Sequence, residues 1–530
     1  GGQLTSKDEL DIRMGANRDF YPTEIGLPDV MTTDIFNTSN NKKYLSAGDM
    51  LPGLDREARY NSESDFLYNR SFNASAMYKH TFGNAAKLMD KLSYSYDDID
   101  YFGTEDLAYL TSDEPIYDHY YMSGDKKTYI CLDSIRYKSP LRFSHIAKTI
   151  NNQLELSGRF YTGNIKHNYL GGYSIVALIR NSYMGYNLGT DVTGPGLTGH
   201  GSVYNPHSIG WMDTSFSKVS VQRSFSHGFY LQDLVEFSDQ LKMMLAGRYD
   251  LYYYRSASAP TLNGQRKFDM PDNEAFNKIK NHAFTFRAGL VYLPIEQVSI
   301  YGSFGTYFKP IRTFYQDNTI YIDKNGNQYN PSNGGEVFKP ENGYQAEVGV
   351  RYELNNTLQI NTSFYFIDKK NIRQLLASAG TVIDGVALDK NVQGQVGHMN
   401  SKGFDIDITY TPVTDLSMTI GYGFTDAKVR DLADNDYMAT SVYNGKEYPY
   451  IPKNTFYAYA DYVVAKGLLK GFGANLSVSY QDKLYRNSDN SLYFDSYWLT
   501  DIGFSYTLKR NIRLGANINN LFNKKYYDQA

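Results

Sequence analysis

Gly194-Pro195-Gly196-Leu197-Thr198-Gly199 spells the Gly-x-Gly-x-x-Gly string with which a chain can cradle a dinucleotide pyrophosphate. That chemistry needs a strand before the string and a helix after it, so that backbone N–H groups meet the phosphates. Here the string sits inside a long polar stretch and reads as a flexible loop. Asp323-Lys324-Asn325-Gly326-Asn327 begins like a calcium-binding loop but lacks the closing Glu. Asn325-Gly326 between Tyr321 and Tyr329 predicts instead a small hairpin turn within an outer loop. The nine His offer no close metal-ligand pair, and no nucleophile, base and orienting group assemble. The expectation is a protein with no catalytic residues, metal or cofactor. The single Cys131 cannot close an internal disulfide and reads as an incidental loop residue. What the chain has in quantity is rings, with 50 Tyr and 29 Phe against two Trp. Rings at strand ends suit the girdles of a membrane protein, and rings on loops suit ligand binding.

The elements that carry these rings alternate. Phe404, Ile406, Ile408 and Tyr410 alternate with Asp405, Asp407 and Thr409, and the turn 411–415 follows. Leu416, Met418, Ile420, Tyr422 and Phe424 then alternate with Ser417, Thr419, Gly421, Gly423 and Thr425. Side chains on a strand point to opposite faces in turn, so this hairpin has one apolar and one polar face. Such strands are expected near 9–20, 66–82, 87–102, 146–160, 166–180, 218–236, 240–256, 281–293 and 296–308. They continue near 342–354, 356–368, 400–411, 415–427, 453–464, 470–482, 494–507 and 510–520. Connections near 83–86, 161–165, 237–239, 294–295, 355, 412–414, 465–469 and 508–509 are short. Those near 21–65, 103–145, 181–217, 257–280, 309–341, 369–399, 428–452 and 483–493 are longer. Strict alternation of short turns and long loops predicts an all-β, antiparallel transmembrane β-barrel with turns at the periplasmic end and loops outside.

The mean hydropathy of −0.50 fits that fold, because only one strand residue in two meets lipid. No apolar run is long enough for a membrane helix, which leaves strands as the only way across a bilayer. The net charge of −4 argues against a nucleic-acid partner.

Several segments resemble TonB-dependent outer-membrane receptors of the siderophore branch. They are Gly228-Phe229-Tyr230-Leu231-Gln232-Asp233 with Leu245-Ala246-Gly247-Arg248-Tyr249-Asp250, and the run from Phe338 to Tyr352. Phe364-Tyr365-Phe366-Ile367-Asp368, Ser401-Lys402-Gly403-Phe404-Asp405 and Asn519-Asn520-Leu521-Phe522-Asn523 continue the series in the family's order. Arg248 and Asp250, two residues apart, are expected to share the polar face, and the amides at 519–520 to bind free backbone groups where a strand ends. The resemblance implies the 22-strand receptor barrel, whose lumen a plug fills. Residues 1–530 are then expected to be a partial barrel domain of about seventeen strands, with the plug, first strands and last strand outside them.

It also implies TonB-dependent active import of a ferric siderophore or similar large iron chelate. The implied partners are the TonB complex, through a segment outside this sequence, the ferric siderophore, and outer-membrane lipid. Tyr-rich loops of this style also resemble receptors of Bacteroidetes, where a surface lipoprotein helps capture the ligand. Ferric siderophores present rings and net negative charge, which aromatic walls and cations recognise. The outer-loop candidates are Tyr183, Tyr186, Trp211, Arg312, Phe314 and Tyr315. Haem is disfavoured because residues 309–341 hold no His. Cobalamin, a glycan, or a passive porin-like barrel are the alternatives.

Overall fold

The computed structural model describes residues 2–23, 25–28, 31–55, 57–83, 86–186, 200–206, 214–312, 314, 319–323, 325–329, 338–355, 357–377, 379–380, 382–383, 386–395, 398–432, 434, 443–508 and 512–526. Its framework is one antiparallel meander. The first long strands are β1 (Asp8–Tyr21), β2 (Phe66–Phe82), β3 (Ala86–Ser112), β4 (Lys126–Thr162), β5 (Ile165–Tyr186) and β6 (Lys218–Glu236). There follow β7 (Leu241–Pro260), β8 (Asn277–Ile295), β9 (Val298–Lys309), β10 (Glu341–Leu354), β11 (Leu358–Lys370) and β12 (His398–Val413). The last are β13 (Leu416–Arg430), β14 (Asn454–Val463), β15 (Phe472–Gln481), β16 (Tyr497–Leu508) and β17 (Ile512–Ile518). Every span expected from the sequence falls on one of these strands. Each strand pairs antiparallel with the next. Among the described residues β17 pairs only with β16, and the free side of β1 carries only Gly2–Gln3.

The two faces of this sheet differ as the alternation requires. On one face Phe229, Leu231, Leu245, Tyr249, Phe284, Leu290 and Val348 are exposed, Phe284 at 66 %. Rings left bare in water forgo about 25 cal/mol per Å² of burial, so this face is built for hydrocarbon. The opposite face carries Arg248, Asp250, Glu155 and Tyr230, where the Tyr230 hydroxyl donates to Glu155 and Arg248 donates to Asp250 and to Ser174. Arg248 Nε donates to Asp250 at 2.9 Å, the shared face expected of the pair. On this polar face large rings lie over glycines of the adjacent strand. Tyr301 is paired directly with Gly349, Tyr230 with Gly172 and Tyr457 with Gly421. A Cβ on Gly349 would stand 2.4 Å from Tyr301 Cζ, so only glycine lets that ring lie flat and donate to Glu347 at 2.8 Å.

Two expected loops, 103–145 and 181–217, are strand in part. The alternation does not stop at 102 or 180: β3 runs on to Ser112, β4 begins at Lys126, and β5 reaches Tyr186. Cys131, expected in a loop, sits on β4 opposite Leu110. This hairpin stands beyond the rest because the connection before β2 wraps it. Met31, Ile35, Leu45, Leu51 and Tyr60 pack against Ile130, Leu132, Ile135 and Tyr137, and the Tyr60 hydroxyl donates to the Val203 carbonyl. The result is an outer cap with its own apolar core. Asp65 lies buried at its edge, accepting from the Ser62 amide at 3.2 Å and from the Ser62 hydroxyl. Burial nonetheless pushes its carboxyl up to about 6.

A second outer layer joins two connections that the sequence keeps apart. Thr319–Ile322 pairs in parallel with Asn391–Gly394 and antiparallel with Tyr329 and Gln328, and Arg373–Ala377 flanks the other side. The predicted Asn325-Gly326 turn closes the Tyr321–Tyr329 hairpin, with Gly326 at φ +85°. Ile322, Val392, Leu376, Val429 and Leu432 form the core beneath it.

Candidate functional site

β7 ends in Tyr252-Tyr253-Tyr254, and the alternation that aims Arg248 and Asp250 at the polar face aims Tyr252 and Tyr254 there too. Both are buried, with ring planes 13° apart and centroids 6.5 Å apart. Two strands on, β9 ends at Lys309 because Pro310 has no amide to continue the ladder. The chain then bends inward, and the Ile311 amide donates to Asn281 Oδ1 at 3.1 Å, tying it to β8. That bend delivers Arg312 to the two tyrosines, its guanidinium carbon 5.7 Å from each ring centroid. Phe314 stacks on Tyr254 at 5.5 Å and 17°. Two of the six sequence candidates, Arg312 and Phe314, thus meet in one aromatic and cationic cluster.

Beside this cluster opens a cavity of about 560 Å³, with Lys309, Arg312 and Arg373 on its wall against the single carboxylate Glu341. Glu341 already engages Lys309 at 3.6 Å and the Tyr307 hydroxyl at 3.4 Å. The balance is cationic, and rings stand next to it. Such a wall favours an anion that carries rings. The roof is held rather than loose: Gln395 donates to the Lys339 carbonyl at 2.6 Å and the Asn371 carbonyl at 2.8 Å, and accepts from the Lys339 amide at 2.9 Å. Above it Tyr321 and Phe338 pack edge to face, and burial raises the neighbouring Tyr329 hydroxyl to about 12, so it stays neutral.

The other candidates lie elsewhere. Tyr183 is on β5 rather than a loop, 3 % exposed and packed among Phe216, Val219 and Phe268, on the face opposite the cluster. The reason is the alternation itself, which continues through 181–186 and puts Tyr183 opposite Val219 on β6. Tyr186 ends β5, its backbone opposite Leu141. Trp211, Tyr315 and the glycine string 194–199 fall outside the described residues. Tyr252 and Tyr254 were not singled out from the sequence, although their even spacing from Arg248 and Asp250 places them on the polar face.

Residues 13–521 match the family described as TonB dependent receptor-like, beta-barrel. The probable TonB-dependent siderophore receptor PiuA of Acinetobacter baumannii is 25% identical over 408 residues, covering 72% of this chain and 50% of that protein. The ferrichrome outer membrane transporter/phage receptor of Escherichia coli is 25% identical over 395 residues, covering 70% of this chain and 44% of that protein. The chain thus spans about half the length of the curated relatives it matches. Among solved structures, the siderophore receptor PiuA from Acinetobacter baumannii superposes with a TM-score of 0.69 at 18% identity, over 99% of this chain and 72% of that one. The ferric-catecholate import receptor Fiu of E. coli, in its closed form, gives 0.69 at 16% identity, over 99% and 69%. With the family match spanning nearly all of the meander, the chain belongs to the TonB-dependent receptor-like β-barrel family of the bacterial outer membrane.

Proposed function

We propose that this protein captures a ferric siderophore at its outer mouth and imports it by a TonB-dependent mechanism. The observation that carries the reading is the convergence of Arg312, Phe314, Tyr252 and Tyr254 beside a cavity whose charged residues are mostly cationic. Relatives named as siderophore and ferrichrome receptors support the class of ligand. Arg312 supplies charge, the three rings supply flat apolar walls, and Lys309 and Arg373 extend the positive surface. Tyr186, Trp211 and Tyr315 are proposed as further rings of the same mouth. Among the described residues the outer edge of β1 is unpaired beyond Gly2–Gln3 and that of β17 is unpaired, which suits a barrel completed to 22 strands by further segments, with a plug in its lumen and a TonB-contacting segment. A surface lipoprotein is a proposed helper in capture. The test is a titration of the full-length protein with ferric catecholate, hydroxamate and mixed-ligand siderophores, followed by quenching of its intrinsic fluorescence. At least one ferric chelate is expected to bind with sub-micromolar affinity, and Arg312→Gln to weaken it about tenfold, equal to about 1.4 kcal/mol. Binding of none of them, with haem and cobalamin included as competitors, would overturn the reading.

A further inference from the structure

On the apolar face, above the exposed rings, the row Val221, Ala257 and Phe276 is buried beneath the segments that precede β6 and follow β7. One row nearer the membrane on that same face stands a line of cations. Arg223 on β6 is directly opposite Arg255 on β7, and Arg255 is directly opposite Lys278 on β8. On the other side Arg223 faces Ile179 of β5, which in turn faces Lys148 of β4. Phe225, Tyr253 and Lys280 form the next row down. Lys148, Arg255, Lys278 and Lys280 are exposed, and Arg223 is half-buried.

Like charges directly across a ladder repel, so three in register on adjacent strands need a counter-charge. Among the described residues none of them forms an ion pair with a carboxylate. Arg223 donates to Asn181 Oδ1 at 3.1 Å and the Gln222 carbonyl at 2.8 Å. Arg255 donates to Asn273 Oδ1 at 3.4 Å and lies over Phe276, and Lys280 lies over Tyr253. All these partners are neutral. Asp272 and Glu274 of the nearby short helical turn are exposed and pair with none of the row among the described residues. Elsewhere on this face the pattern is opposite: Arg266 and Arg70 both engage Asp98, at 2.5 Å and 3.5 Å.

The row borders a cavity of about 570 Å³ that also includes Ile179, Phe225 and Tyr253. Below it run Phe229 and Leu231, both exposed. The row lies toward the long-loop ends of its strands, which is the outer leaflet side. We infer that Arg223, Arg255 and Lys278 bind the phosphate of an outer-leaflet lipid headgroup, whose acyl chains lie along Phe225, Phe229 and Leu231. Guanidinium forks match phosphate oxygens bidentately, and the anion relieves the repulsion between the three cations. The occupant is a lipid because the cations and the hydrocarbon-facing wall are continuous.

The experiment is native mass spectrometry of the delipidated full-length protein in maltoside detergent, titrated with lipid A. Lipid A is expected to be retained, and its fully dephosphorylated counterpart to bind at least tenfold more weakly. The triple variant R223Q/R255Q/K278Q is expected to lose lipid A by about the same factor, while R223K/R255K/K278R keeps it within about threefold. Equal retention of the dephosphorylated lipid, or an unchanged glutamine variant, would overturn the inference. So would displacement of lipid A by millimolar inorganic phosphate, which would mark a free-anion site. If the glutamine variant fails to assemble, the comparison of the two lipids on the unaltered protein decides.

Discussion

Asp65 shows how a single residue can set the behaviour of the outer cap. Its carboxyl is held at about 6 by burial, against 3.8 for an unburied one, so the folded cap takes up a proton more readily than the unfolded chain. The stability this contributes is complete below pH 3.8 and is lost as the pH rises through 6. Between pH 5 and pH 8 the loss amounts to about 1–2 kcal/mol. Amide exchange across residues 31–65, corrected for intrinsic rates, is expected to be slower at pH 5 than at pH 8, and equal or greater protection at pH 8 would contradict the account. Residue roles were legible where type and position coincided. Arg312 and Phe314 stood out as a cation and a ring close together in an outer connection, and both meet Tyr254. Tyr183 looked the same in sequence, yet it is buried under Phe216 and Phe268, because what covers a strand end depends on a connection 80 or so residues away. Asn520 was readable from chemistry alone: its amide bonds the Lys524 carbonyl at 2.9 Å and accepts from the Lys524 amide at 2.7 Å.

Strands in this chain are specified twice, by alternation and by the glycines that the polar-face tyrosines require. Gly349→Ala places a methyl 2.4 Å from Tyr301 Cζ, so the ring must swing off and release Glu347. The expected loss of stability is about 1–3 kcal/mol, read as a lower urea midpoint of the folded protein in micelles. Tyr301→Ala in the Gly349→Ala background is expected to cost less than Tyr301→Ala alone, and simple additivity of the two would contradict the packing argument. Alternation made the strands readable because it is a local signal of period two. The same rule understated β3, β4 and β5, since a loop-rich composition masked the continuing pattern beyond 102, before 146 and after 180. The strand pairing of the outer sheet was not readable. Thr319–Ile322 pairs in parallel with residues from a different connection, and no four-residue stretch encodes a partner some 70 residues away. Only its Asn325-Gly326 turn could be foreseen, because there the local φ requirement and the sequence coincide.

At the scale of the whole molecule, the meander has an apolar face suited to lipid and a polar face opposite it, with capped and sheeted connections at one end. Among the described residues β1 and β17 are not paired with each other, and each unpaired N–H or C=O in hydrocarbon costs several kcal/mol. Residues 1–530 expressed by themselves are therefore expected to give no heat-modifiable, protease-resistant species in outer membranes, whereas the full-length protein gives one. A stable species from this segment alone would contradict the proposal that further strands complete the barrel. The central claim, that the outer mouth takes in a ferric siderophore for energised import, is tested most directly by uptake of the radiolabelled ferric siderophore that binds best. The measurement compares iron-starved cells carrying the full-length protein, its Arg312→Gln variant, or the protein without functional TonB. The account predicts rapid accumulation by the first, accumulation slowed about tenfold at limiting ligand by the second, and none above background by the third. Uptake that is indifferent both to Arg312 and to TonB would contradict it.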